Sequence, residues 1–352
     1  MHHRSSSAIE SQCVGQCPVG IGRCQLSRLT FEGRVAIVTG AGRGLGRAHA
    51  LLLAERGARV VVNDLGVALD GAGASRGPAE SVVAEIQSAG GAAVPSFDSV
   101  ATKAGAANIV RTAVQAYGRV DIMVHNAGPV TFAPFGSMSY EQYRQLMTTH
   151  ADGGFLICRA AWPYMERQRF GRIILISSQA ALSGLPNQAH YVMAKTALTG
   201  LARALALEGA ALGIRANALS VTGYTRMMQG FFHPDVPERP AIESMGHAEA
   251  WWRRYVRPEL VSSVVGYLAH EHCQFNGAIV DTGAGRISLQ FLSMTEGFVD
   301  LELTPESVRD HVSDIVNAAG GTRAFTDAMA FLEWQYQKVV AAGAPPVSNV
   351  SR

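Results

Sequence analysis

The stretch RVAIVTGAGRGLGRAHALLLAERGARVVVND, Arg34–Asp64, decides the fold. It opens on consecutive apolar, β-branched residues and turns through Gly40, Gly44 and Gly46 at the spacing G-x3-G-x-G. It then runs on as an apolar helical stretch and returns to a second β-branched run ending on Asp64. Strand, glycine turn, helix, strand and terminal acid in this order form a dinucleotide-binding unit. The missing side chains let backbone N–H groups approach a pyrophosphate at the positively polarised N-terminus of a helix, with Leu45 inside the same turn. Asp64 can accept hydrogen bonds from both adenosine ribose hydroxyls, and its charge repels a 2′-phosphate. NAD is favoured over NADP on that ground. Arg43, a cation in the glycine loop, pulls the other way.

Beyond Asp64 the alternation continues. Arg34–Gly40, Ala58–Asp64, Ala92–Ser96, Val120–Gly128, Arg172–Ser178, Ile214–Ser220 and Gly277–Gly283 read as seven strands. Runs such as VAIV, VVV and IILI are apolar at successive positions, so both faces of each strand are covered, as in a parallel sheet flanked by helices. The expected helices are Leu45–Arg56, Ala79–Ala89, Lys103–Tyr117, Tyr140–Met165, His190–Leu212 and Pro258–His270. The fold expected is α/β: a Rossmann-type, doubly wound parallel sheet of seven strands with helices on both faces and its cleft at the strand C-termini. It spans residues 31–290. Residues 1–30 read as a disordered N-terminal extension, 227–255 as an apolar substrate lid or a packed surface excursion, and 291–352 as a C-terminal helical tail docked on the main domain. In that tail Thr304 is placed to cap a helix.

The composition agrees with one large domain and appendages. Of 352 residues, 48% are hydrophobic and 16% charged, with 37 glycines, so the bulk of the chain is neither disordered nor fibrous. Thirty Lys+Arg against 28 Asp+Glu leave +2, which gives no field to gather nucleic acid or an anionic membrane. No apolar run reaches the roughly 18 residues of a membrane span. Five cysteines, three of them Cys13, Cys17 and Cys24, make an odd number and argue against a disulfide framework. No fourth ligand accompanies those three at fixed spacing, and no metal is expected. Cytoplasmic residence is the default.

A second constellation carries the chemistry. Tyr191 and Lys195 in HYVMAK share a helix face, so an ammonium sits near a phenol and stabilises its phenolate. Ser178 ends the fifth strand, where its hydroxyl can hold a substrate oxygen.

On these residues the chain resembles the short-chain dehydrogenase/reductase family across roughly Phe31–Gly285. TGAGRGLG, the HNAG of His125–Gly128, Ser178 and Tyr191-x3-Lys195 occur in that family's order and spacing. The resemblance implies reversible hydride transfer between a nicotinamide and an alcohol or ketone carbon. It makes Tyr191 the acid/base, Ser178 the substrate anchor, and Lys195 the group that binds the nicotinamide ribose and depresses the tyrosine pKa. It also places Asn126, Ala127 and Gly128 on the adenosine side, Asp98 and Ser99 at the adenine, and Val221, Gly223 and Thr225 beside the nicotinamide.

Two departures narrow the likeness. HADGGF, with His150, stands where the family usually has asparagine in N-x-x-G-x-F, and SVTGYTRM replaces the usual Pro-Gly after the sixth strand. With VVNDLG, YVRPELVSSVVGYLAHEHC and LTPESVRD, these features look like the (3R)-hydroxyacyl-CoA dehydrogenase domain of multifunctional enzyme type 2 and its bacterial single-domain relatives. A neutral imidazole donates and accepts as an amide does, so His150 preserves a proton relay; the alternative is a hydrogen-bonded core histidine.

The substrate implied is a bulky apolar acyl-CoA or a steroid. Arg253, Arg254 and Arg257 are either contacts for CoA phosphates or solvated surface charge. A secondary-alcohol dehydrogenase without a CoA requirement and a silent NAD-binding sensor are the rival readings. Relatives of this kind pair through the helices around Tyr140–Met165 and His190–Leu212, so a homodimer or homotetramer is expected.

Overall fold

The computed structural model describes residues 28–68, 71–231 and 248–345. The N-terminal cysteines and residues 232–247 of the expected lid lie outside the described residues.

Strands β1 (Val35–Thr39), β2 (Arg59–Asn63), β3 (Ala92–Ser96), β4 (Ile122–His125), β5 (Gly171–Ser178), β6 (Ile214–Thr222) and β7 (Ile279–Gly283) lie in the order β3-β2-β1-β4-β5-β6-β7, all parallel. The chain starts in the middle, winds outward to β3, then crosses back to β4, which opens a crevice at the C-terminal ends of β1 and β4. Pro95, which cannot donate a ladder hydrogen bond, sits on edge strand β3.

The β1 side chains alternate between two cores. Ala36 and Val38 pack beneath α1 (Gly44–Glu55), α2 (Gly77–Ser88) and, across the sheet, the helix of Pro258–Ala269. Val35 and Ile37 face the opposite layer, made by α3 (Lys103–Tyr117), the helix of Gly153–Gln168 and that of Ala189–Gly209. Continuous apolar strands are thereby buried on both faces, as the sequence demands.

Three expectations are corrected. The sheet has eight strands: β8 (Arg286–Gln290) returns antiparallel beside β7 through Ala284 and Gly285, whose φ values of +51° and +80° make the tight hairpin. The single helix expected over Tyr140–Met165 is broken. Helix α4 (Tyr140–Met147), capped by Ser139 with Gln142 reciprocating, passes through a π-turn at Thr148–Asp152 into α5 (Gly153–Gln168). The tail helix that Thr304 caps is also short, interrupted at His311.

A short α6 (Ala180–Ser183) follows β5 and precedes α7 (Ala189–Gly209); α8 (Arg226–Phe231), α9 (Ala248–Tyr255) and α10 (Pro258–Ala269) follow β6. In the tail, β9 (Ser293–Thr295) pairs antiparallel with β10 (Thr322–Ala324), around α11 (Pro305–Asp310, capped by Thr304) and α12 (Val312–Val316), and α13 (Ala328–Ala341) closes the described chain. None of these three helices has a buried residue. Arg203 on α7 reaches the tail with a hydrogen bond to the Phe325 carbonyl at 3.3 Å.

Candidate active site

The glycine turn has a steric reason at each position. Gly40 and Gly44 hold φ of +64° and +54°, which side-chain-bearing residues avoid. A Cβ on Gly46 would lie 2.2 Å from the Gly40 carbonyl oxygen. Arg43 precedes α1 without capping it, so the N–H groups of the first turn have no side-chain acceptor. The turn opens on a cleft of about 350 Å³ lined by Gly40, Arg43, Gly44, Leu45, Asp64, Asp98, Ser99, Asn126, Ala127, Gly128 and Thr225, all named from the sequence. An uncapped helix N-terminus, glycines where a side chain would fill the space, and a carboxylate at the far wall match a nucleotide diphosphate and its ribose.

Asp64 is locked in place. Its Oδ2 accepts the Gly42 N–H at 2.7 Å and its Oδ1 the Gly66 N–H at 2.6 Å, which leaves further lone pairs on both oxygens for ribose hydroxyls. Asp98 accepts the Asn108 amide at 2.9 Å, and Ser99 Oγ accepts the Ala101 N–H at 3.2 Å. Asn126 supports the turn: its Nδ2 donates to the carbonyls of Thr39 and Gly40, each at 3.1 Å. Val221 and Gly223 do not line the cleft. Val221 lies within β6, and Gly223 packs on Leu45, whose Cδ2 would lie 2.9 Å from an added Cβ.

Sequence reasoning missed Arg226, which comes from α8 to the same cleft. Its Nη2 donates to the Val67 carbonyl at 3.2 Å, and Arg43 Nη1 donates to the same oxygen at 3.4 Å. Burial, then Arg43, lower the Arg226 pKa, and Asp64 opposes them. No spacing marks this residue in the sequence; only the return of the chain over the cleft brings it to Val67.

Ser178, Tyr191, Lys195 and His150 converge beyond the glycine turn. The phenol of Tyr191 is 9% exposed and lies close enough to the Ser178 hydroxyl to feel it electrostatically, and the Ser178 oxygen accepts the Ala180 N–H at 3.3 Å. Lys195 lies one turn on, with Nζ 5.6 Å from the tyrosine ring centroid and donating to the Ile176 carbonyl at 2.8 Å. Burial lowers the Lys195 pKa to about 7. Burial raises that of Tyr191, with the Ser178 hydroxyl acting against it. The net shift of the phenol is therefore upward, opposite to the depression expected from a neighbouring ammonium.

His150 sits on the π-turn, its ring edge-on to Tyr191 with centroids 5.6 Å apart. Its Nε2 donates to the Pro129 carbonyl at 2.9 Å, while Nδ1 is buried without a partner among the described residues. Burial first, then Lys195, hold its pKa well below the usual imidazole value, so the ring is neutral.

On α9, Trp251 meets Trp252 edge-on, and Arg253 pairs at 3.0 Å with Glu249, which also accepts the Tyr224 hydroxyl at 2.6 Å. Arg254 lies over the Tyr255 ring. Among the described residues no helix is long and apolar enough to cross a membrane.

The short chain dehydrogenase family matches residues 34–234. A putative short-chain type dehydrogenase/reductase of Mycobacterium tuberculosis is 43% identical over 266 residues, 76% of this chain and 87% of the other. Peroxisomal multifunctional enzyme type 2 of Drosophila melanogaster is 39% identical over 295 residues, 82% of this chain but 46% of that protein. The mouse enzyme of the same name is 39% identical over 83% of this chain and 38% of its own length, so the chain spans less than half of either. Among solved structures, the full-length Drosophila enzyme aligns with TM-score 0.69 at 31% identity, covering 89% of this chain and 50% of that one. A short chain dehydrogenase from Mycobacterium avium aligns with TM-score 0.68 at 33% identity, covering 83% and 96%. Glycine turn, cleft and Ser-Tyr-Lys cluster lie on one mainly parallel sheet, and the chain belongs to the short chain dehydrogenase family of oxidoreductases, whose members use nicotinamide cofactors.

Proposed function

We propose that this chain is an NAD-dependent dehydrogenase acting on the C3 hydroxyl of a hydroxyacyl-CoA with a bulky fatty or steroid-derived acyl group. The observation that carries the chemistry is the buried Lys195 ammonium 5.6 Å from the Tyr191 ring centroid, with the Ser178 hydroxyl beside the phenol. Ser178 and Tyr191 hold the substrate hydroxyl between them; burial keeps the Tyr191 phenol protonated in the unliganded protein, and a cationic nicotinamide ring beside it would, with Lys195, favour the phenolate that takes the substrate proton. With its pKa lowered to about 7, Lys195 is only partly charged at neutral pH, and binding of an anionic partner raises its charged fraction. The neutral His150 accepts a hydrogen bond at the end of the proton path. The Gly40–Gly46 turn would hold the cofactor pyrophosphate, Asp64 the adenosine ribose, Asp98 and Ser99 the adenine, and Thr225 would flank the nicotinamide end. The nicotinamide supplies hydride chemistry that no side chain can.

The substrate class rests on likeness to enzymes named peroxisomal multifunctional enzyme type 2 and peroxisomal hydratase-dehydrogenase-epimerase. Apolar side chains exposed on α4, α5 and α7, among them Tyr140, Phe155 and Leu207, suit a homodimer or homotetramer. A second cofactor reading has one observation behind it: Arg43 and Arg226 converge beside Asp64, where two guanidinium groups could receive a 2′-phosphate. Straight-chain and sterol-derived 3-hydroxyacyl-CoA thioesters, each with its free acid, assayed with NAD+ and NADP+, test the proposal. Turnover of a thioester with NAD+ and none of the free acid is the expected result. Equal turnover of the free acid makes the chain a secondary-alcohol dehydrogenase without a CoA requirement.

A further inference from the structure

His125 closes β4 with its imidazole 1% exposed and both ring nitrogens engaged. Nε2 lies 3.0 Å from the His150 main-chain carbonyl oxygen, and because a carbonyl can only accept, Nε2 carries the proton. Burial, then the Lys195 charge, pull the ring's pKa to about 4, so Nδ1 keeps its lone pair and accepts the Thr39 hydroxyl at 3.2 Å. The Thr39 oxygen accepts in turn the Asn126 and Ala127 N–H groups, at 3.0 and 3.1 Å, so all its hydrogen-bonding positions are used. The tautomer of His125 is thereby fixed. The ring is close-packed beside Gly154, where a Cβ would lie 2.6 Å from Leu198 Cδ2 and 3.3 Å from His125 Cδ2.

The consequence falls on His150. Its Nε2 is committed to Pro129 and its main-chain carbonyl to His125. The acceptor this residue still presents beside Tyr191 is the buried Nδ1.

We propose that His125 is a positioning residue for the Tyr191 chemistry: by holding the His150 carbonyl, it commits the imidazole Nδ1 of His150, and not its carbonyl oxygen, to accept the hydrogen bond at the Lys195 end of the site. The inference rests on the roles assigned above to Tyr191 and Lys195. The groups acting on the two rings are Lys195 on both, His125 and His190 on His150, with Tyr191 in edge contact. Neither imidazole takes up a proton under that charge, so Nδ1 acts only as a hydrogen-bond acceptor that orients the donor at the site.

Two amides separate positioning from packing. His125→Asn keeps a polar group near the Nδ1 position, within reach of Thr39, but falls short of the His150 carbonyl. His125→Gln extends a donor to where Nε2 now stands. The full chain is assayed with (3R)-hydroxydecanoyl-CoA and NAD+, and its histidines are labelled with ¹⁵N for NMR. We expect His125→Asn to lower kcat ~10- to 100-fold with NAD+ affinity and KM kept, and to move the rising limb of the oxidative pH profile to higher pH. The His150 Nδ1 resonance should shift, and His125→Gln should recover most of the rate and return the resonance. Wild-type kcat and pH profile in His125→Asn, or equal loss in both variants in step with lost thermal stability, overturns the proposal. Tyr191→Phe run alongside separates the two levels: if it is inactive while His125→Asn is normal, only the positioning role fails, and if it is active both fall.

Discussion

His150 occupies the space a side chain at residue 128 would need: a Cβ on Gly128 would lie 1.8 Å from His150 Cε1 and 2.3 Å from Nδ1. The closing glycine of HNAG is therefore set by the imidazole pressed against it, and the ring's place beside Tyr191 depends on a hydrogen atom at that position. Backbone on one side and a buried ring on the other leave no cheap adjustment.

Gly128→Ala is expected to push the His150 ring off its Pro129 hydrogen bond. We expect kcat to fall ~10- to 100-fold, with a smaller loss in NAD+ affinity, because Gly128 also lines the nucleotide cleft. Steady-state kinetics with titration of NADH fluorescence checks this; wild-type kcat would mean that the ring's position is immaterial to turnover.

Lys195 gives a stability signature. Its folded pKa of about 7 lies below the usual lysine value of 10.5, so between these two the unfolded chain binds the extra proton and stability rises with pH. Below pH 7 the folded protein carries the full cost of a buried ammonium. In the absence of cofactor, Lys195→Met is expected to be inactive yet to melt a few degrees above the wild type at pH 6, the gap closing as pH climbs toward 10. Melting curves across that range decide it, and a gap that widens with pH contradicts the assignment.

Asp64 holds the glycine loop through Gly42 and Gly66 while facing Arg43 and Arg226 across the cleft. Removing the carboxylate in Asp64→Ala takes away ribose acceptors and the repulsion of a 2′-phosphate. The ratio of kcat/KM for NAD+ over NADP+ is expected to fall at least about tenfold, in line with the ~1.5–3 kcal/mol of hydrogen bonds to a charged group. An unchanged ratio would move the selectivity elsewhere.

The parallel sheet was legible because the strand runs VAIV, VVV and IILI are apolar on both faces, a pattern that only helix-covered strands show. Strand β8 left no such trace: Ile287 and Leu289 are about half exposed on an edge, so no buried face imposes an alternation. The break at Thr148–Asp152 was hidden because a π-turn adds to the helical pattern without a proline or a cap to mark it. Ser178, Tyr191 and Lys195 could be read because two of them are one helix turn apart and the third ends a strand. Arg226 and the contact of His125 with His150 could not, since each joins segments far apart in the chain through contacts that no spacing encodes. The upward shift of the Tyr191 phenol was missed for a related reason: burial outweighs the neighbouring charge, and burial is a property of the packed molecule.

The most direct measurement is turnover by Tyr191→Phe with cofactor binding followed in the same preparation. With the phenol as acid/base, kcat falls at least about 10²-fold while NADH binds within a few-fold of the wild type. Turnover near the wild-type rate by a variant that binds NADH normally would contradict the account.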